Sequence, residues 1–154
     1  MKLQRQPNVA SCLATSFAMV LDIPVEEIFK ELGHDGMDEI FPGLPGVRKY
    51  RTFHIQEMVD LCAARNLAVT NIEARPNRAE NDQVWEIPGD FSDRFAEYLT
   101  DTVGVLWGET FGRWHAVAWD GIEKKVYDPQ ETIKSISNLR LKAYLKVDRI
   151  LGLD

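Results

Sequence analysis

Apolar positions recur along this chain with two different periods, and the changes of period divide it into elements. After a polar turn, Leu13, Phe17, Val20 and Leu21 follow Cys12 at helical spacing, which predicts a first helix with the cysteine at its N-terminal end. Ile23-Pro24 restarts the chain. Pro24 suits a first helical position, Glu26 and Glu27 fall in the first turn, and the stripe Val25, Ile28, Phe29 and Leu32 ends at Gly33. A third helix is expected after Thr52 as its cap, with Ile55, Met58, Val59 and Cys62 on one face and His54 in the first turn, off that stripe.

Period two takes over at Leu67 to Ile72, the first expected strand. Phe91, Phe95, Tyr98 and Leu99 predict a helix over Phe91 to Thr102, and Val103 to Trp107 reads as a buried strand. The run His115-Ala-Val-Ala-Trp ends at Asp120-Gly121, and Lys125-Val126-Tyr127-Asp128 follows before Pro129 stops it, so the two form a β-hairpin. Leu139 to Val147 fits a strand or a short helix. Three stretches lack either period: His34 to Arg51, Glu73 to Asp90 and the connection Gly108 to Trp114. The first is a wall of a substrate cleft or a passive surface excursion. The expected architecture is α+β, one domain over 1–154, with N-terminal helices packed on an antiparallel sheet.

Composition narrows the partners. Of 154 residues, 45% are hydrophobic and 27% charged, which suits one globular core. The net charge of −6 and the scatter of Lys and Arg, apart from Arg48-Lys49-Tyr50-Arg51, argue against nucleic acid. No stretch approaches the ~18 apolar residues of a membrane span. Only Cys12 and Cys62 are present and no apolar signal run follows Met1, which fits a reducing cytoplasm.

The hairpin changes the reading of Cys12. A cysteine opening a helix is either a small core residue or a thiolate favoured by the positive end of the macrodipole. A two-residue turn makes Asp128 a diagonal neighbour of His115, and a four-residue turn puts the two opposite each other. Either register sets both on one face, where the carboxylate fixes the imidazole tautomer and leaves the other nitrogen as a base. A three-residue loop would separate them. Gly112 and Trp114, beside His115, are expected to approach a substrate, with a core role for Trp114 as the alternative. His34, Asp35, Asp38 and Glu39 offer only one imidazole on a solvated loop, so no metal is expected, and no cofactor. Neither Ser11 nor Ser16 lies in a Gly-x-Ser-x-Gly context.

Gln6, Cys12, His115 and Asp128-Pro129, in that order, resemble the papain-like cysteine peptidases, most of all the small bacterial branch that includes the double-glycine bacteriocin-processing peptidases. The resemblance implies a papain-like fold and a triad of Cys12, His115 and Asp128, with Gln6 donating to the oxyanion and a peptide or protein as substrate. The chain departs from the pattern at Leu13, where such peptidases often carry glycine. A thiolate with a histidine base also serves acyl transfer and deamidation, and a non-catalytic peptide-binding module is the reading from a different class.

Overall fold

The computed structural model describes residues 1–46, 49–73 and 97–150. Among the described residues three complete helices, α1 (Cys12–Leu21), α2 (Val25–Leu32) and α3 (Ile55–Ala63), precede or flank a five-stranded antiparallel sheet. Its strands are β1 (Leu67–Glu73), β2 (Val103–Thr110), β3 (Arg113–Asp120), β4 (Lys125–Tyr127) and β5 (Arg140–Arg149), in the order β1-β5-β2-β3-β4. The last strand in sequence thus lies between the first two. The α+β architecture and the antiparallel sheet agree with the expectation, and the ambiguous C-terminal segment is a strand.

The helices cover one face of the sheet. There Phe17, Ile28, Met58 and Cys62 pack against Val105, Ala116 and Leu145 in one buried cluster. Burial of each large side chain contributes roughly 1.5–3 kcal/mol, before the entropy of ordering it is subtracted. On the opposite face Leu106, Val117, Trp119 and Tyr144 meet Leu99, Ile133 and Leu139. Consecutive residues of β3, Ala116 and Val117, therefore enter different clusters, as a pleated strand requires. The single stripe expected on α1 is too narrow: Leu13 through Met19 are all buried, because the helix touches β2, β3 and α2. Two of those buried residues are polar and both are satisfied. Thr15 Oγ1 donates to the Ser11 carbonyl at 2.7 Å, and Ser16 Oγ to the Ala116 carbonyl at 3.1 Å.

Several local expectations need correction. Pro24 is the cap residue of α2 rather than its first helical residue. α3 is capped by His54, whose ring accepts from the Gln56 amide while Glu57 accepts from the His54 amide. Thr52 has φ +56°, which turns its N–H onto the Gly36 carbonyl, so it closes a loop instead of opening a helix. That loop is not patternless. Ile40 donates to Lys49, Arg51 to Asp38 and Thr52 to Gly36, making an arm with Ile40, Phe41 and Leu44 exposed toward its end. The stretch Gly108 to Trp114 is the end of β2, a two-residue turn and the start of β3. Phe111 (φ +48°) and Gly112 (φ +74°) form a left-handed turn whose twist matches the flanking strands. Residues 97–99 are helical and Thr100 to Thr102 are not, so the helix ends earlier than expected; its part before residue 97, and nearly all of the Glu73 to Asp90 loop, lie outside the described residues.

Candidate active site

Cys12 opens α1. Ser11, the residue before it, makes no side-chain cap: its hydroxyl donates back to the Asn8 carbonyl at 3.1 Å, and no acidic residue occupies the first turn. The positive end of the helix is therefore left for another anion, and Cys12 is the half-buried side chain beside it. Cys62, by contrast, is fully buried on α3, and burial pushes its thiol up to about 11. The two cysteines stand in opposite environments.

The hairpin that supplies His115 has a four-residue loop, Gly121 to Lys124, between Asp120 and Lys125. Asp120 Oδ1 holds that loop by accepting from the Ile122 and Glu123 amides. The pairing runs Ala118 to Tyr127, so Asp128 continues toward Val117 and is the diagonal neighbour of His115 on one face. The loop starts at Gly121, one residue later than a turn that would set the two directly opposite. β4 ends at Tyr127, and past that point β3 is met by α1 through Ser16 and Ala116.

His115 Nε2 lies 2.6 Å from Asp128 Oδ1, with both side chains only 1% exposed. Burial on its own would push the imidazolium toward losing its proton. The Asp128 carboxylate bonded to the ring and the Cys12 side chain beside it reverse this and carry His115 up to about 9. Burial likewise opposes the Asp128 charge, but His115 and the amides of Gln130 and Ile133 outweigh it and hold the carboxyl below its usual range. Since Nε2 faces the carboxylate, Nδ1 is the nitrogen left for Cys12. The structure thus brings the sequence-predicted Cys12 beside the hydrogen-bonded pair of His115 and Asp128.

Gln6 is joined to the same region by its backbone, whose N–H donates to the Pro129 carbonyl at 3.1 Å. Its side-chain nitrogen donates to the Asn8 carbonyl at 2.8 Å, and its Oε1 is buried without a partner among the described residues. A primary amide carries two N–H donors, so one remains after Asn8 is served. Trp114, half exposed, stacks on Trp107 with ring centroids 5.4 Å apart, and Trp107 packs against the cluster that also receives Cys12. Gly112 occupies the turn described above, with open space around it. Its backbone conformation accounts for a glycine there, and no hydrogen bond ties it to Cys12 or His115.

No protein-family model matches this chain, and comparison with curated proteins and with solved structures finds no match.

The other two histidines have structural partners. His34 is buried, stacks on Phe53 and bonds Glu57 at 2.6 Å through Nε2, while its Nδ1 accepts from the Gly36 amide. His54 caps α3. Sequence reasoning missed Ser16, Trp107, and the segment 130–133 that surrounds Asp128. A signal for the last was present: an aspartate before proline in an irregular stretch commonly accepts from the amide two residues on, as Asp128 does from Gln130 at 2.8 Å. A cavity of about 480 Å³ is walled by Phe111, Thr132, Asn138, Leu139 and Arg140 among others, and neither Cys12 nor His115 lines it.

Proposed function

We propose that this chain is a cysteine-nucleophile hydrolase built on the papain-like plan, cleaving an amide bond in a peptide or protein through Cys12, His115 and Asp128. The observation that carries this reading is a buried imidazole bonded at 2.6 Å to a buried carboxylate and lying beside the thiol at an uncapped helix N-terminus. Proton exchange between Cys12 and Nδ1 gives a thiolate–imidazolium pair. The thiolate attacks the carbonyl carbon, and the oxygen takes up the charge against the Cys12 N–H and the second Gln6 amide hydrogen. One such donor is worth about 3 kcal/mol of barrier. Collapse breaks the C–N bond as His115 protonates the departing amine, leaving a thioester on Cys12. His115, now neutral, takes a proton from water, whose attack on the thioester releases the acid and restores the thiolate. Asp128 stays ionised throughout.

Trp114 and Trp107 offer a flat apolar wall beside His115 for the side chains flanking the scissile bond. Among the described residues no helix is long and apolar enough to cross a membrane. Two unpaired cysteines suit a reducing compartment, and we assign the activity to the cytoplasm.

The test is the rate of Cys12 alkylation by iodoacetamide, mapped by peptide mass, in the wild type and in His115→Ala. Fast labelling of Cys12 at pH 7 that slows about tenfold or more without His115 is expected from an ion pair. A Cys12 no faster than an unfolded thiol, or one indifferent to His115, ends the proposal. Trapping the acyl group on Cys12 from a peptide library then identifies the substrate, and the partition of that thioester between water and an added amine separates hydrolysis from acyl transfer.

A further inference from the structure

Among the described residues, five donors converge on the Asp128 carboxylate. Oδ1 accepts from His115 Nε2 at 2.6 Å and from the Gln130 amide at 2.8 Å. Oδ2 accepts from the Thr132 amide at 2.9 Å, from Thr132 Oγ1 at 2.9 Å and from the Ile133 amide at 2.7 Å. The terminal torsion of an aspartate is soft and broad, so packing alone does not fix the plane of its carboxylate. The donors do. Three of the five are backbone amides and one belongs to the histidine, which leaves Thr132 as the only other side chain in the set.

We propose that Thr132 is a positioning residue: its hydroxyl, together with the two amides beside it, sets the rotation of the Asp128 carboxylate and hence the approach of Oδ1 to His115. This rests on the triad reading above, in which the orientation of His115 matters for turnover. Among the described residues nothing else calls for a threonine there. Its side chain lies on the wall of the 480 Å³ cavity at an exposed position, where a polar residue of any shape would serve solubility. What distinguishes it is a hydroxyl donor placed on a carboxylate that is 3% exposed.

The swap Thr132→Val is nearly isosteric, but it replaces the hydroxyl with a methyl at 2.9 Å from Oδ2. Carbon–oxygen contacts of this kind settle at about 3.3–3.6 Å, so the carboxylate must turn or withdraw. Thr132→Ser keeps the hydroxyl and drops only the methyl group. Thr132→Ala removes the donor without the intrusive methyl, and guards against a folding defect in the valine variant.

The readout is the His115 imidazole followed by proton–nitrogen NMR in each variant, alongside the Cys12 alkylation rate. In Thr132→Val we expect the His115 titration midpoint to fall by about one unit, the scale of a lost charge-assisted bond. The far-downfield Nε2–H resonance expected of a 2.6 Å contact moves upfield with it. Thr132→Ala moves both in the same direction by less, and Thr132→Ser retains both wild-type values. A wild-type midpoint and resonance in Thr132→Val overturns the proposal, as does an equal shift in Thr132→Ser, which would assign the effect to methyl packing. The imidazole signals report on Thr132 whether or not Cys12 is a nucleophile. Failure of the triad reading instead shows as alkylation that ignores His115.

Discussion

Replacing Asp128 with asparagine perturbs the site at constant shape, and the donors around it decide what the new amide can do. With its oxygen kept toward His115, the amide nitrogen faces the Thr132 and Ile133 amides, and two backbone donors lose their acceptor. With the amide flipped, only the Gln130 amide is left unpaired, while Nδ2 points at His115 Nε2. An unsatisfied buried donor costs about 1–3 kcal/mol, so the flipped form wins by roughly one such penalty. His115 must then accept at Nε2 and carry its proton on Nδ1, on the side of Cys12. An imidazole in that state cannot take a proton from the thiol. The rise of His115 from its ordinary 6.5 to about 9 amounts to roughly 3 kcal/mol in favour of the imidazolium, and Asp128 is a principal cause once burial is overcome.

Without the ion pair, Cys12 loses the partner that favours its thiolate, so alkylation at pH 7 slows about tenfold or more. Turnover falls further, on the order of 10⁴, as the same tautomer defect produces in a serine-nucleophile triad. The assay is iodoacetamide labelling of Cys12 at pH 6 to 9, with the His115 tautomer read from its two nitrogen shifts. Labelling in Asp128→Asn at the wild-type rate, with His115 still titrating near 9, would refute the reasoning.

Two further outcomes follow from the same numbers. His115 contributes stability that is complete below its ordinary 6.5 and is lost as pH rises through about 9. Asp128, held below its ordinary 3.8, contributes above that value and loses its contribution on acidification. Urea melts should therefore show unfolding free energy falling by about 3 kcal/mol from this pair between pH 6 and pH 10, and His115→Gln should flatten that limb. An unchanged limb in the variant would mean the pair is not formed. Cys62→Ser, which puts a hydroxyl into an apolar cluster, should cost about 1–3 kcal/mol while leaving Cys12 alkylation as it was. A selective loss of Cys12 reactivity would contradict the separation of the two thiols.

How much of this was legible in the chain depended on whether the determinant was a period or a single backbone angle. The alternation through His115 to Trp119 was enough to read the strand that carries His115, and Asp120-Gly121 marked where it ends. The register was not legible, because it depends on Lys124 taking φ +54° and on Asp120 capping two amides of the loop. The turn at Phe111-Gly112 was hidden for a similar reason. A bulky residue at φ +48° is uncommon, so the sequence reads there as a break rather than a tight hairpin. In the arm after His34, pairing between Asp38 to Ile40 and Lys49 to Arg51 is backbone-to-backbone and leaves no side-chain period to read. The capping of α3 by His54 was missed because histidine is not among the common capping residues.

The bonds that join the two layers fall on neighbours of the chemical residues more than on those residues themselves. Ser16, one turn after Cys12, holds α1 to β3 at Ala116, the residue after His115. The Gln6 amide holds the N-terminal segment to Pro129, the residue after Asp128. Each such bond contributes about 1 kcal/mol net, and together they fix where the first turn of α1 meets the hairpin without using the thiol. Cys12 itself is half-buried at the end of the helix and packs only at the margin of the core. A site arranged this way separates stability from chemistry: removal of the Cys12 sulfur leaves the scaffold bonds in place and takes away only the group that the Asp128–His115 pair addresses.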